Sequence, residues 1–404
     1  MDKIRLAVVG LGGRGTWWLG ELLKMDDVEV TSVCDLHAER MENGRKMCAE
    51  KYGHEIFGST DYREIVTRPD NVAVFIPTYW NDHIKVAIAA MKAGKYAASE
   101  VGPCQSVQQC WDLVRTSEET GMPYMMMENC CYDKDEMTVL NMIKKGMFGE
   151  LIHCEGGYQH DLRGTLVRAF ESDHERCWQN WHRNAELYPT HELGPIMTYL
   201  GINRGNRMLT LTSTASKARG CKAYAEANGI SAPEYHEGDV VKTEIRCANG
   251  ETITLTHDVS LPHPYSRLGI VKGTKGIWSE DKHAVYFDGI SPSETWEPIE
   301  KYYEDYGHPL WKKTGADDFT GGHGGMDWLV MRGFLEAVKN GTETPIDVYD
   351  SAAMMVVSVL SEDSIAMGGA PVAIPDFTDG RWVKREPGPK TIFSLWDLDE
   401  SLFN

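Results

Sequence analysis

The stretch IRLAVVGLGGRG, residues 4–15, limits what this chain can fold into more than any other. A short, mostly apolar strand runs straight into a glycine turn, and TWWLGELLKM behind it carries apolar residues at helical spacing. A second strand, VEVTSVCD, ends on Asp35, twenty residues after Gly15. Strand, glycine turn, helix, strand and a terminal acid together are the context of a dinucleotide site. Glycines let backbone and a helix N-terminus approach a pyrophosphate, and the acid accepts from ribose hydroxyls. Gly10, Gly12, Gly13, Arg14, Gly15 and Asp35 are therefore the expected cofactor contacts. A carboxylate at 35 repels a 2′-phosphate, which favours NAD over NADP, while the neighbouring Arg14 pulls the other way.

The rest of the first third continues this pattern. NVAVFIP, KYAASE and PYMMMEN read as strands, separated by the helical stretches NDHIKVAIAAMKAG and SVQQCWDLVRTSEETG. Alternation at this spacing predicts a doubly wound parallel sheet, an NAD-binding Rossmann domain over residues 1–129. Beyond it DEMTVLNMIKKGMFG reads as a helix, and the chain then turns β-rich, punctuated by NG, KG and TKG turns. That style predicts an antiparallel or mixed sheet with at least one hairpin. GGMDWLVMRGFLEAVKNG and DVYDSAAMMVVSVLSEDSIAMGG are late helices. The expected architecture is α/β: the Rossmann domain, then an α+β substrate-binding and catalytic domain over 130–404 with a large, mostly antiparallel sheet. Its C-terminal segment is expected to pack back on the first domain.

Charge removes whole classes of partner. A net charge of -19 opposes nucleic acid and anionic membrane surfaces but not a neutral sugar. No apolar run approaches 20 residues, and the opening lacks a signal-peptide core, so no membrane partner and a cytoplasmic location are expected. Ten cysteines without a CxxC pair read as reduced thiols, and no metal is expected.

EGGYQHDLR, residues 155–163, poses a different question. In a strand, residues two apart share a face, so Tyr158 and His160 would point together. A phenol and an imidazole side by side make a proton-transfer pair, or else Tyr158 is a packing aromatic with a satisfied hydroxyl. Histidine titrates near 6.5 and tyrosine near 10, so Tyr158 becomes a base only beside positive charge, from Arg176 or His191.

SEVGP, residues 99–103, follows the Rossmann half and resembles the GFO/IDH/MocA oxidoreductase superfamily, with a change. Those dehydrogenases usually carry Glu-Lys-Pro here, where the lysine helps deprotonate an alcohol. This chain has Val101 and Gly102 between Glu100 and Pro103. That substitution, with MMEN, GGYQHDLR, YPTHELGPI, NRGNRM, PYSR, GHGGMD, DVYDSAA and IPDFT, resembles glycoside hydrolase family 109, the NAD-dependent α-N-acetylgalactosaminidases. The resemblance spans most of the chain.

It implies a redox-neutral glycosidase. Tightly held NAD would take hydride from C3 of the sugar, making the C2 proton acidic; elimination at C1, addition of water and return of the hydride complete a hydrolysis. This needs acid/base groups rather than the carboxylate pair of ordinary glycosidases. The resemblance points to Tyr158, His160, His191 and Glu128 for catalysis. Tyr158, Arg176, Tyr188, His191 and Tyr265 would hold the sugar, and Trp80, His83, Glu100, Val101 and Asn129 would join the glycine turn at the cofactor. In related dehydrogenases an aspartate stands four residues before the histidine; Leu187 takes that place here. Trp178 and Trp181 either stack on a pyranose or belong to the core, and His83 is otherwise an ordinary first-turn residue. GGHGGMD either brings backbone N–H groups and His323 to the site or is a hinge. The family's habit of associating through the open face of the second sheet implies a homo-oligomer. The competing reading is a sugar or polyol dehydrogenase with net NADH formation, and the third is a non-catalytic sensor.

Overall fold

The computed structural model describes residues 3–168, 174–231, 234–314, 322–396 and 400–403. The first sheet is built from β1 (Ile4–Val9), β2 (Val28–Cys34), β3 (Phe57–Ser59), β4 (Ala73–Ile76), β5 (Tyr96–Ser99) and β6 (Tyr124–Met126). Their order is β3-β2-β1-β4-β5-β6 and every pairing is parallel. Helices cover both faces, so β4 is buried at every residue and β1 at five of six. The order in which strands are added reverses between β1 and β4, and a crevice opens outside the strands' carboxyl ends at that point. The expected doubly wound sheet is there.

The second sheet has nine strands in the order β14-β13-β12-β11-β7-β10-β9-β8-β15. Its centre is β7 (Leu151–Gln159), β10 (Thr252–Asp258), β9 (Val241–Cys247) and β8 (Met208–Ala215). The outer strands on one flank are β11 (Ile270–Gly273), β12 (Gly276–Ser279), β13 (Ala284–Phe287) and β14 (Glu297–Pro298), and β15 (Val372–Ala373) closes the other. All neighbours are antiparallel except β7 and β10, which makes the sheet mixed. The exception sets His257 across from Tyr158 in register. The Asn249-Gly250 turn joins β9 to β10 as a hairpin, and Thr274-Lys275 joins β11 to β12. On β9 buried and exposed residues alternate strictly, because one face is covered and the other solvated.

The covering helices tie the two sheets together. Thr190–Tyr199 lies on β7, and Val348–Ala366 packs both on β8 and on helix Val107–Thr120 of the first sheet. Helix Met326–Asn340, from late in the chain, packs against β1 and the short turn Asn129–Tyr132. Among the described residues no helix is long and apolar enough to cross a membrane.

Candidate active site

A cleft of about 440 Å³ runs along the carboxyl edge of the first sheet. Gly10 follows β1 with φ +110°, where an L side chain is strained, and a Cβ there would sit 2.6 Å from the Pro77 carbonyl oxygen. At Gly15 a Cβ would lie 2.0 Å from the Gly10 oxygen, so the turn and helix Gly13–Leu22 close on one another only without side chains. Gly12 and Gly13 meet nothing within 4 Å, which leaves the helix N-terminus open to a ligand. At the end of β2, Asp35 accepts from the Leu11 N–H at 2.6 Å and the His37 N–H at 2.9 Å, and it lines the cleft. These features fit a dinucleotide: phosphates at bare backbone N–H groups, a ribose at a fixed carboxylate. His37, Arg40 and Leu36 also line that end, and sequence reasoning missed them because only their nearness to Asp35 marks them.

Arg14 lines the cleft but pairs with carboxylates other than Asp35. Its Nε donates to Glu100 at 2.8 Å, and its two Nη groups donate to Asp327 at 2.9 and 2.8 Å. Glu100 also accepts from the Trp18 indole N–H at 2.5 Å, so its carboxylate serves this network from the cleft wall. Asp327, fully buried, further accepts from Asn129 Nδ2 and pairs with His323 Nδ1, each at 2.8 Å. Burial alone would raise the Asp327 carboxyl, but His323 and Arg14 hold it well below the usual range. The same contact raises the His323 imidazole above its ordinary value. Asp327 was missed: its motif was noticed, but its partner lies 313 residues away. Gly321, the first residue of that stretch, lies outside the described residues.

Val101 and Trp80 both line the cleft. A Cβ at Gly102 would come within 2.4 Å of Trp80 Cδ1, so the indole fills the space that a side chain at 102 would need. His83 is 2% exposed, bonds the Thr78 carbonyl at 3.1 Å through Nε2, and burial pushes it down to about 4. It lines the cleft and, as a neutral ring, props the turn after β4. Glu175 reaches across to accept from the Asn81 N–H at 3.2 Å and so caps helix Trp80–Lys92 from 94 residues further along the chain.

The other wall begins with Glu175, Arg176 and Tyr188, which line the cleft, and continues in side chains packed against them that do not line it. The Tyr158 hydroxyl and His160 Nδ1 are 3.0 Å apart, although β7 ends at Gln159 and His160 stands just beyond it. The Tyr188 ring lies 4.7 Å from Tyr158 and stacks on Trp80 at 5.7 Å. Arg176 places its guanidinium carbon 4.5 Å from the Tyr188 ring centroid and 5.0 Å from that of Tyr158. Burial first, then the Arg176 charge, hold the His160 imidazole below its ordinary value. Tyr265, half exposed, sets its ring edge-on to His160 at 5.3 Å. His191, in the first turn of helix Thr190–Tyr199, packs edge-on to Tyr188 at 4.8 Å. Its Nδ1 is 2.8 Å from Glu128 Oε1, and Glu128 is fully buried. Burial works to raise that carboxyl, yet the His191 imidazole keeps it below the usual value. An ionised Glu128 fixes the His191 proton on Nδ1 and leaves Nε2 with a lone pair. Glu128, Cys130 and His191 could also hold an ion, their ligand atoms lying within 4.8 Å, but the hydrogen bond already occupies two of the three.

Trp181 is 1% exposed and belongs to the core, edge-on to Trp178 at 4.8 Å. Neither lines the cleft. The wall thus has a hydrogen-bonded phenol and imidazole, a carboxylate-oriented imidazole and a cation lying over aromatic rings.

Residues 4–128 match the oxidoreductase family NAD-binding Rossmann fold, and residues 132–384 match the glycosyl hydrolase 109 C-terminal domain. A glycosyl hydrolase family 109 protein of Stenotrophomonas maltophilia is 40% identical over 95% of this chain and 91% of its own. An α-N-acetylgalactosaminidase of Tannerella forsythia is 37% identical over 95% of this chain and 88% of its own. Among solved structures, a levoglucosan dehydrogenase in complex with NADH superposes with a TM-score of 0.70 at 17% identity, over 93% of this chain and all of that one. That last likeness is one of fold.

Proposed function

The chain belongs to glycosyl hydrolase family 109, an NAD-dependent glycosidase, and from that premise we propose that it cleaves α-N-acetylgalactosaminides or related glycosides by oxidation and elimination with no net redox change. The observation that carries this reading is the Tyr158–His160 pair at 3.0 Å, with the Glu128–His191 pair beside it, on the wall facing a dinucleotide cleft. Bare backbone at Gly12 and Gly13 and the Asp35 carboxylate would hold NAD, which would supply a hydride acceptor at C3 of the sugar and the donor that restores it. The residues have the rest to do.

His191 is the base for the C3 hydroxyl. Its Nδ1–H is spent on Glu128, so Nε2 takes the proton, and the buried carboxylate stabilises the imidazolium that results. Loss of two hydrogens from C3 and its oxygen leaves a ketone and makes the C2 proton acidic. Tyr158 and His160, joined by one hydrogen bond, remove that proton. His160, held below its ordinary value, is neutral at pH 7 and able to accept it. The leaving group departs from C1, water adds to the enone, and the same groups return their protons. Arg176 anchors the sugar, and Tyr188 and Tyr265 frame it. Trp80 leaves no room for a side chain at 102, and Val101 beside it offers no amine, consistent with a site that lacks the lysine of an alcohol dehydrogenase.

Purified protein with p-nitrophenyl α-N-acetylgalactosaminide in deuterium oxide tests the proposal. Expected are nitrophenol release, deuterium at C2 of the freed sugar and no lasting rise at 340 nm. Nitrophenol released without C2 exchange, or NADH accumulating in step with product, would overturn it.

A further inference from the structure

Behind the sugar wall lies a buried set of titratable groups that this chemistry does not use. His257 stands across from Tyr158 in the β7–β10 register, with ring centroids 6.3 Å apart and planes 19° from parallel. It is 2% exposed. Its Nε2 lies 2.9 Å from Glu237 Oε1 and its Nδ1 lies 3.6 Å from Glu186 Oε1. Both carboxylates are buried, and they come from separate loops.

In front of this trio sits Arg176. Its buried Nη2 has no hydrogen-bond partner among the described residues, and its neighbours are the faces of Trp80, Tyr158 and Tyr188. A guanidinium so placed needs a counter-charge. Glu237 supplies one through space, since each group feels the other's charge. Burial raises both carboxyls while His257 and Arg176 act against it, so the four groups set one another's charge. A carboxylate in direct contact would pair with the donors that a sugar needs. Glu237 is paired with His257 instead, at 2.9 Å.

We propose that Glu186, His257 and Glu237 are positioning residues, a buried charge set that holds Arg176 in place as a cation while leaving its Nη2 to donate to the sugar. This rests on the reading that Arg176 faces a sugar. Burial pulls the His257 imidazole down, but Glu237 and then Glu186 outweigh it and raise the group above its ordinary value. Burial pushes Glu186 up to about 7 despite His257. The charged groups facing the imidazole are Glu237, Glu186 and Arg176, with Arg183 acting on Glu237 from behind.

The test has two arms on the full-length protein with NAD. In the first, carbon-labelled histidine is titrated by NMR, and the His257 resonance is identified by its loss in H257Q. Its midpoint is expected above the free value of about 6.5, to fall by about one unit in E237Q and to rise in R176M, because one carboxylate and one cation oppose each other there. A midpoint that ignores both substitutions overturns the inference even if glycosides are cleaved. In the second arm, free N-acetylgalactosamine is titrated by calorimetry. E237Q and H257Q should each weaken binding about tenfold with NADH affinity unchanged, and the double variant should bind no worse than either single one. Losses that add, in step with falling melting temperature, would mean packing alone and also overturn it. If the parent binds no sugar while His257 answers both substitutions, the charge set stands and the sugar assignment falls.

Discussion

The two walls of the cleft are built on opposite principles. The first-sheet edge recognises its ligand by what is missing: bare backbone at Gly12 and Gly13, a turn that closes because Gly10 and Gly15 lack side chains, and one histidine kept neutral as a prop. The second-sheet wall is crowded with side chains from β7, two helices and several loops, and its histidines are held by carboxylates or a phenol. Shape at one wall should fail under added volume. Chemistry at the other should fail under the loss of a single atom.

The largest effect is expected from Tyr158→Phe, which deletes one oxygen from the proton-transfer pair. Turnover of a p-nitrophenyl glycoside should fall by about 10² to 10⁴, the usual contribution of a positioned acid or base, with NADH affinity unchanged by fluorescence titration. A matching loss of NADH affinity would break the division between the walls.

His83→Gln tests the prop. The folded protein holds this imidazole at about 4, against about 6.5 unfolded. Between those values the unfolded chain binds the extra proton, so His83 subtracts stability as pH falls below about 6.5 and nothing above it. Urea unfolding at pH 7 and pH 4.5 should show the parent losing about 2–3 kcal/mol more than H83Q over that interval. Equal losses would mean that the buried ring takes up its proton as readily as the unfolded one.

The smallest of the three is Gly15→Ala. A Cβ 2.0 Å from the Gly10 oxygen must push the turn off the helix, an overpacking cost of about 1–3 kcal/mol that should appear as a tenfold to hundredfold loss of NADH affinity. Tyr158 and His160 do not touch that turn, so turnover at saturating cofactor should hold. If turnover collapses as well, the walls are coupled, and Glu175, which caps helix Trp80–Lys92 from beside Arg176, is the contact to examine next.

The difference between the walls also explains what could be read in advance. The glycine turn, Asp35 and the alternating strands are short-range statements: each needs only the conformational demands of neighbouring residues, and the doubly wound sheet follows. The Tyr158–His160 pairing was legible for the same reason, a two-residue period, even though the strand stops one residue short of His160. The carboxylates behind the work were not. Glu128 and His191 are 63 residues apart, and Arg14 and Asp327 are 313 apart. Resemblance put Glu128 near the site without saying what it touches, and Glu186, Glu237 and His257 carried no motif.

The sequence by itself determined the sheet with its glycine turn, the family, and which residue types would gather beside the cleft, because backbone dihedrals and side-chain period are set within a few residues. Only the tertiary structure decided which charge meets which. Those encounters depend on β10 lying parallel to β7 and on a late helix returning to β1, and a buried ion pair has no meaning until the fold has removed the water around it.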